Sequence, residues 1–212
     1  MRVLVAWVCL GVLGLTSWAA AGGVPVTLSV RPFERPGYVP THVLAGRVSS
    51  GAGGEVVTVL AQVCPRSFET SVAGANTHTG GFWETSAMAP RTAVTYRARW
   101  EGRYSEAVKV WPPLPVTTKW AGRTSLTVLV DTSGALQNLR GKPIALQRQD
   151  SATFRWLPYR RARLQLDTSS SAAFQFKATF ARVGRGVKVR VSIPRETAAP
   201  CFQPQTTATI RG

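Results

Sequence analysis

Hydrolytic or group-transfer chemistry needs a nucleophile or an acid/base pair held beside an orienting partner. In this 212-residue chain the side chains able to supply one are few and badly spaced. The two histidines, His42 and His78, lie in the first half, whereas Asp131, Asp150 and Asp167 all lie in the second. A His–Asp pair would have to form across the middle of the chain. Glu55, Glu69, Glu84, Glu101 and Glu106 are scattered over turns and outward positions. They do not make the pair of carboxylates, about 5–9.5 Å apart, that glycoside hydrolysis uses. There is no Gly-x-Ser-x-Gly, His-Glu-x-x-His or Asp-rich calcium loop. Two histidines and two cysteines past the leader give no zinc spacing. The expectation is a non-enzyme without metal or cofactor, the enzymatic alternative being a hydrolase with its site between the two halves.

The residues that can bind are the cations. The formal net charge is +16, and it is uneven. Residues 24–115 carry nine Lys/Arg against six Glu, and residues 116–212 carry sixteen Lys/Arg against four acids. A field that strong on one half attracts polyanions. The densest run is Arg155-Trp156-Leu157-Pro158-Tyr159-Arg160-Arg161-Ala162-Arg163. Outward Arg155, Arg160, Arg161 and Arg163 beside an exposed Tyr159 suit phosphate, sulfate or carboxylate, which guanidinium binds through paired hydrogen bonds. Lys188 and Arg190 join them if their strand neighbours the run. The partners this implies are an anionic cell-wall polymer, an acidic glycan, membrane headgroups or another surface protein, with no specific nucleic acid. The competing expectation is a solvated face whose arginines discourage edge pairing. Among the aromatics, Trp100 and Trp156 fall on inward positions and Trp111 and Trp120 flank the centre; Trp83 is the candidate ligand contact.

The elements that must position these residues read as strands. Residues 1–21 have the form of a signal peptide: Arg2, then an apolar run from Val3 to Leu15, then small residues with cleavage near Ala21. No second apolar span follows, so a secreted chain without a transmembrane segment is expected. Val56–Val63 alternates, with Val57, Val59, Ala61 and Val63 on one face. Tyr96, Ala98 and Trp100 alternate with Arg97 and Arg99, and Val187, Val189 and Val191 with Lys188 and Arg190. Period two means half-buried strands. Leu164, Leu166, Phe174 and Phe176 are inward on the same grounds. Trp111-Pro112-Pro113-Leu114-Pro115 cannot join a central strand and reads as a short stiff linker. The division is residues 24–111, a linker over 112–116, and a basic module over 117–212.

The two modules repeat each other weakly. Gly54–Gln62 returns as Gly141–Arg148, Phe82-Trp83 as Phe174-Gln175, and Tyr96–Trp100 as Val187–Val191. Offsets near 90 residues match one small β-sandwich. On these residues, with Trp156 and Ser105, the chain resembles the immunoglobulin-like or fibronectin type III-like modules of secreted bacterial proteins. The resemblance implies an all-β chain, two immunoglobulin-like β-sandwiches in tandem after a signal peptide. It also implies that Tyr96 makes a tyrosine corner, its hydroxyl bonding backbone a few residues upstream. Trp156 would be a core tryptophan of the third strand, with Phe68 as its counterpart.

Cys64 and Cys201 remain after the leader, and export favours oxidation. With Val56–Val63 as the second strand, Cys64 falls at the pole away from the second module, and Cys201 in a last hairpin facing the first. Pairing, which needs Cα atoms within about 7 Å, then requires modules folded back side by side. An intramolecular disulfide, free thiols and an intermolecular bridge all stay open. The function expected is a secreted binding or spacer protein at the cell surface, binding anionic polymers through the basic module. The alternative is an inert scaffold or a protein-partner module.

Overall fold

The computed structural model describes residues 25–33, 39–122, 124–171, 173–184 and 186–211. The expected signal peptide and its cleavage site near Ala21 lie outside the described residues. The first half runs through β1 (Ser29–Phe33), β2 (Thr41–Arg47), β3 (Val56–Val63), β4 (Thr70–Asn76), β5 (Phe82–Met88), β6 (Val94–Trp100), β7 (Arg103–Tyr104) and β8 (Val108–Val110). The second follows with β9 (Val116–Ala121), β10 (Ser125–Asp131), β11 (Pro143–Gln149), β12 (Trp156–Arg163), β13 (Gln165–Leu166), β14 (Gln175–Phe180) and β15 (Lys188–Ile193). A single helical turn, α1 (Arg195–Ala198), precedes β16 (Gln205–Thr206) and β17 (Ile210–Arg211).

Each half is two antiparallel sheets. In the first, β1-β2-β5 faces β4-β3-β6, with β7 and β8 both paired to β6. In the second, β13-β14-β10-β9 faces β12-β11-β15, with β16 and β17 paired to β15. The core of each is filled from both sheets, as period-two strands dictate. Leu44 and Trp83 meet Val57, Val59, Tyr96 and Ala98 in the first. Leu126, Val128 and Phe176 meet Ile144, Leu146, Val189 and Val191 in the second. The fold is therefore all-β, two immunoglobulin-like β-sandwiches in tandem. The repeated segments occupy equivalent strands: β3 with β11, β5 with β14, β6 with β15. Even an irregularity repeats. The register of β3 on β4 skips Val72 after Val59, and that of β11 on β12 skips Tyr159 after Leu146.

Cys64 and Cys201 are joined, with Cα atoms 5.5 Å apart. The sandwiches need not fold back side by side for this. β1 and β2 both precede β3, so Val56–Val63 is the third strand rather than the second. It ends beside the start of β6 and the end of β8, where Val63 pairs with Val94 and Val94 with Val110. That pole is the one from which the chain leaves for the second sandwich. One extra strand reverses the direction, and with it the predicted position of Cys64.

The bridge is the centre of a hydrogen-bonded junction. The Ala93 amide donates to the Cys201 carbonyl at 2.8 Å, and the Cys64 amide to the Ala93 carbonyl at 2.8 Å. The Thr92 hydroxyl donates to the Cys64 carbonyl at 3.1 Å. The Pro-rich segment is pinned as well. Pro112 accepts from the Gln203 amide at 3.1 Å, and Pro113 makes a parallel bridge to Gln203. Leu114 is buried in the second core, its carbonyl held by the Gln205 side-chain amide. The excursion from Ile193 to Gln205 that carries Cys201 is therefore an interdomain clasp, with Thr197, Ala198, Cys201 and Phe202 buried.

Tyr96 is buried as expected of a corner residue, but its hydroxyl bonds a side chain instead of backbone. It lies 2.9 Å from His42 Nδ1 on the opposite sheet, the rings meeting edge-on. Burial lowers the His42 pKa below 6.5 and raises that of Tyr96 to about 12. Phe68, in the loop between β3 and β4, is exposed beneath the Arg66 guanidinium and is not a core residue.

Two outcomes follow from this packing. The disulfide closes a loop of sequence separation 137, so Cys64→Ser/Cys201→Ser should lose roughly 2–4 kcal/mol of unfolding free energy. Calorimetry should then show the two sandwiches melting as separate transitions. For His42, the unfolded chain takes up a proton near pH 6.5 while the folded chain resists it. Stability should fall as pH drops below 6.5 in urea titrations of the parent, and the slope should flatten in His42→Gln. An unchanged slope would mean that His42 titrates freely.

Candidate anion-binding site

β11 is the frame of the basic face. Ile144 and Leu146 point into the core, so Pro143, Ala145, Gln147 and Gln149 point out. Cross-strand partners share a face, and the register fixes which side chains accompany them. On β12, Arg163 lies opposite Pro143, Arg161 opposite Ala145, and Trp156 opposite Gln149. On β15, Arg190 lies opposite Gln147. Lys188, one pleat further along β15, faces the same way and pairs with Arg211 on β17. The outward face thus carries Arg161, Arg163, Lys188, Arg190 and Arg211. Residues two apart on a strand are about 6.6 Å apart. Arg163 and Arg161 on β12, then Arg190 and Lys188 on β15, therefore form a diagonal stripe. Among the described residues none of these five cations makes an ion pair with a carboxylate.

Two expectations about this run are corrected. The run lies on the fourth strand of its sandwich, the edge strand β12, not on the third. It does not neighbour β15, because β11 lies between them, and it is β11 that joins the two halves of the stripe. Trp156 consequently is not a core tryptophan. It is half-buried on the outer face, with the Arg190 guanidinium 4.4 Å from its ring centre. Arg190 Nε also donates to Gln147 Oε1 at 2.7 Å. The ring and the amide hold one guanidinium in a fixed pose, so less of its rotamer freedom remains to be lost on binding.

The other candidates point elsewhere. The skipped position at Tyr159 swings that side chain against the core, where it is half-buried rather than exposed. Arg148 and Arg160 sit over its ring at 5.3 and 5.1 Å. Arg160 donates to the Arg182 carbonyl at 3.2 Å, round the sheet edge and off the stripe. Arg155 lies in the β11–β12 turn, its carbonyl bonded to the Asp150 amide. Asp150 is occupied in that turn: the backbone N–H of Thr153, then its hydroxyl, hold the carboxyl below its ordinary range. Lys177 is withdrawn from the basic set by Asp167 at 2.8 Å. Hydrogen bonds from Lys177 and Ser169 pull Asp167 down to about 2. Leu166 is exposed on the short strand β13, not inward.

Trp83 is the clearest reversal. It is 2% exposed in the first core, so its ring offers no ligand face. Strand alternation across β5 could have shown this, since Trp83 shares parity with the buried Ala87. Missed by the run-based reading were Gln147, Arg211 and the outward role of Trp156. The alternation of residues 143–149 signals Gln147; Arg211 becomes legible only through its pairing with Lys188.

Among the described residues no group of three His, Cys, Asp or Glu is placed to hold a metal ion, and no helix is long and apolar enough to cross a membrane. No protein-family model and no curated protein sequence matches the chain. Among solved structures it is similar to a two-domain fibronectin type III segment from chicken tenascin, at 13% identity and a TM-score of 0.35. The match covers 87% of this chain and 97% of that one.

The two tryptophans separate the core from the face. Trp83→Ala should cost the first sandwich ~3–5 kcal/mol, as deletion of a core aromatic does. Trp156→Ala should cost the second under about 1.5 kcal/mol, the loss of a half-buried cation–π platform on the outer face with little cavity. Denaturant unfolding of each variant checks this, and equal costs would place Trp156 in the core.

Proposed function

We propose that the chain is exported and acts outside the cell as a non-enzymatic binding or spacer protein, binding anionic polymers through the outer face of its second sandwich. The observation that carries this reading is the diagonal of Arg163, Arg161, Arg190 and Lys188, unneutralised by any carboxylate among the described residues. A polymer with phosphate, sulfate or carboxylate groups repeated every several ångströms can engage successive cations. The gain is largest at low ionic strength, because exposed charges are screened within about 8–10 Å at physiological salt. The arginines supply paired donors to each anionic group. The role of the first sandwich is then to carry the second at a fixed orientation, through the disulfide and the pinned proline segment.

The polymer class is an anionic wall polymer, an acidic glycan or a headgroup surface, and their shared feature is repeated negative charge. Retention on polyphosphate and polygalacturonate resins across a salt series tests it. Arg161→Glu/Arg163→Glu should lose about tenfold or more in affinity at low salt. Arg99→Glu/Arg103→Glu makes the same change in net charge on the first sandwich and should lose under about twofold. Equal losses would mean that net charge alone governs retention. The chain would then be treated as a scaffold or a protein-partner module.

A further inference from the structure

A concavity at the junction shares no lining residue with the basic diagonal. One wall is Lys109 of β8 and Trp111 just beyond that strand. The other is Arg195 of α1 with Pro200, Phe202 and Pro204 of the clasp. The cleft has a volume of about 480 Å³, within the range of small-molecule sites. Trp111 is 45% exposed, a large aromatic left open to solvent. The Lys109 ammonium sits 4.8 Å from its ring centre. Among the described residues two cations and no carboxylate line the cleft. Both walls are fixed, one through Cys64–Cys201 and the other through the Gln203 amide on the Pro112 carbonyl. A cleft held open in this way has little ordering left to lose when it is filled.

We propose that this cleft binds a small aromatic anion, with its ring against Trp111 and its carboxylate or sulfonate group between Lys109 and Arg195. An exposed indole beside proline walls favours a flat apolar ring, since offset contact with the indole adds to area burial. The two cations select the anionic form of such a ring over its neutral analogue. A volume of about 480 Å³ suits a single small molecule, which sets this site apart from the polymer-binding stripe.

The test is equilibrium dialysis with 2-naphthoate and its neutral analogue 2-naphthalenemethanol, with indole fluorescence as a second readout. Naphthoate should bind at one site per chain, about tenfold or more tighter than the alcohol. Trp111→Ala should abolish saturable binding, and Lys109→Ala/Arg195→Ala should bring naphthoate down to the affinity of the alcohol. All three side chains are exposed, so thermal melting should stay that of the parent. Arg161→Glu/Arg163→Glu should bind naphthoate as the parent does, so the polymer reading can fail while this one stands. Equal affinity for the two probes would overturn the proposal. So would undiminished binding in Trp111→Ala, or no saturation by about 1 mM.

Discussion

The covalent link between Cys64 and Cys201 is the constraint on which the arrangement of the chain depends. Each sandwich has its own core, and the short proline-rich segment between them ties the two at one point only. The disulfide adds a second, non-consecutive connection at the same pole, so the halves are tied at two points instead of one. The amide and hydroxyl bonds of Thr92, Ala93 and Gln203 then satisfy backbone groups that the contact would otherwise bury unpaired. The long excursion between β15 and β16 follows from the same requirement. It extends far enough from its own sheet to present a cysteine to the neighbouring sandwich, and it covers its single helical turn with Thr197, Ala198 and Phe202 packed inward.

The basic face depends on a more local constraint, the pleat. Because alternate side chains of β11, β12 and β15 leave the sheet on opposite sides, the apolar residues that fill the second core force their neighbours outward. Arginines at those neighbouring positions must gather on one surface. The edge strand adds protection of its own: Pro158 lacks a donor, and the skipped residue at Tyr159 bends the strand, both of which discourage pairing with another chain. Edge protection and anion binding are compatible uses of one strand. Arg190 stands on β15, two strands in from that edge, and edge protection gives no reason for its being ordered by Trp156 and Gln147.

The first sandwich shows how a buried polar pair is accommodated. Tyr96 and His42 come from facing sheets and complete each other, which leaves neither polar atom unpaired in the core. A tyrosine at the start of β6 is readable as a core residue with a hydroxyl to satisfy. Its partner lies 54 positions away in sequence, and nothing in the spacing points to it.

Strand alternation by itself determined the all-β class, the tandem repeat and which residues of β3, β6, β11 and β15 face the cores, because period two is written in every few residues. Composition determined that the second half carries most of the charge. Three matters needed the tertiary structure. The pole at which Cys64 lies depends on how many strands precede it, and β1, five residues almost all exposed, carries little of the alternation by which a strand is counted. The role of Trp156 depends on whether its strand is third or fourth, since a third strand is covered on both edges and a fourth is open on one. The stripe itself depends on β11 standing between β12 and β15, a neighbour relation among segments far apart in sequence. Alternation fixes the face of a side chain within one strand. Pairing between distant strands decides which faces come together, and it is set by the closure of the whole sandwich.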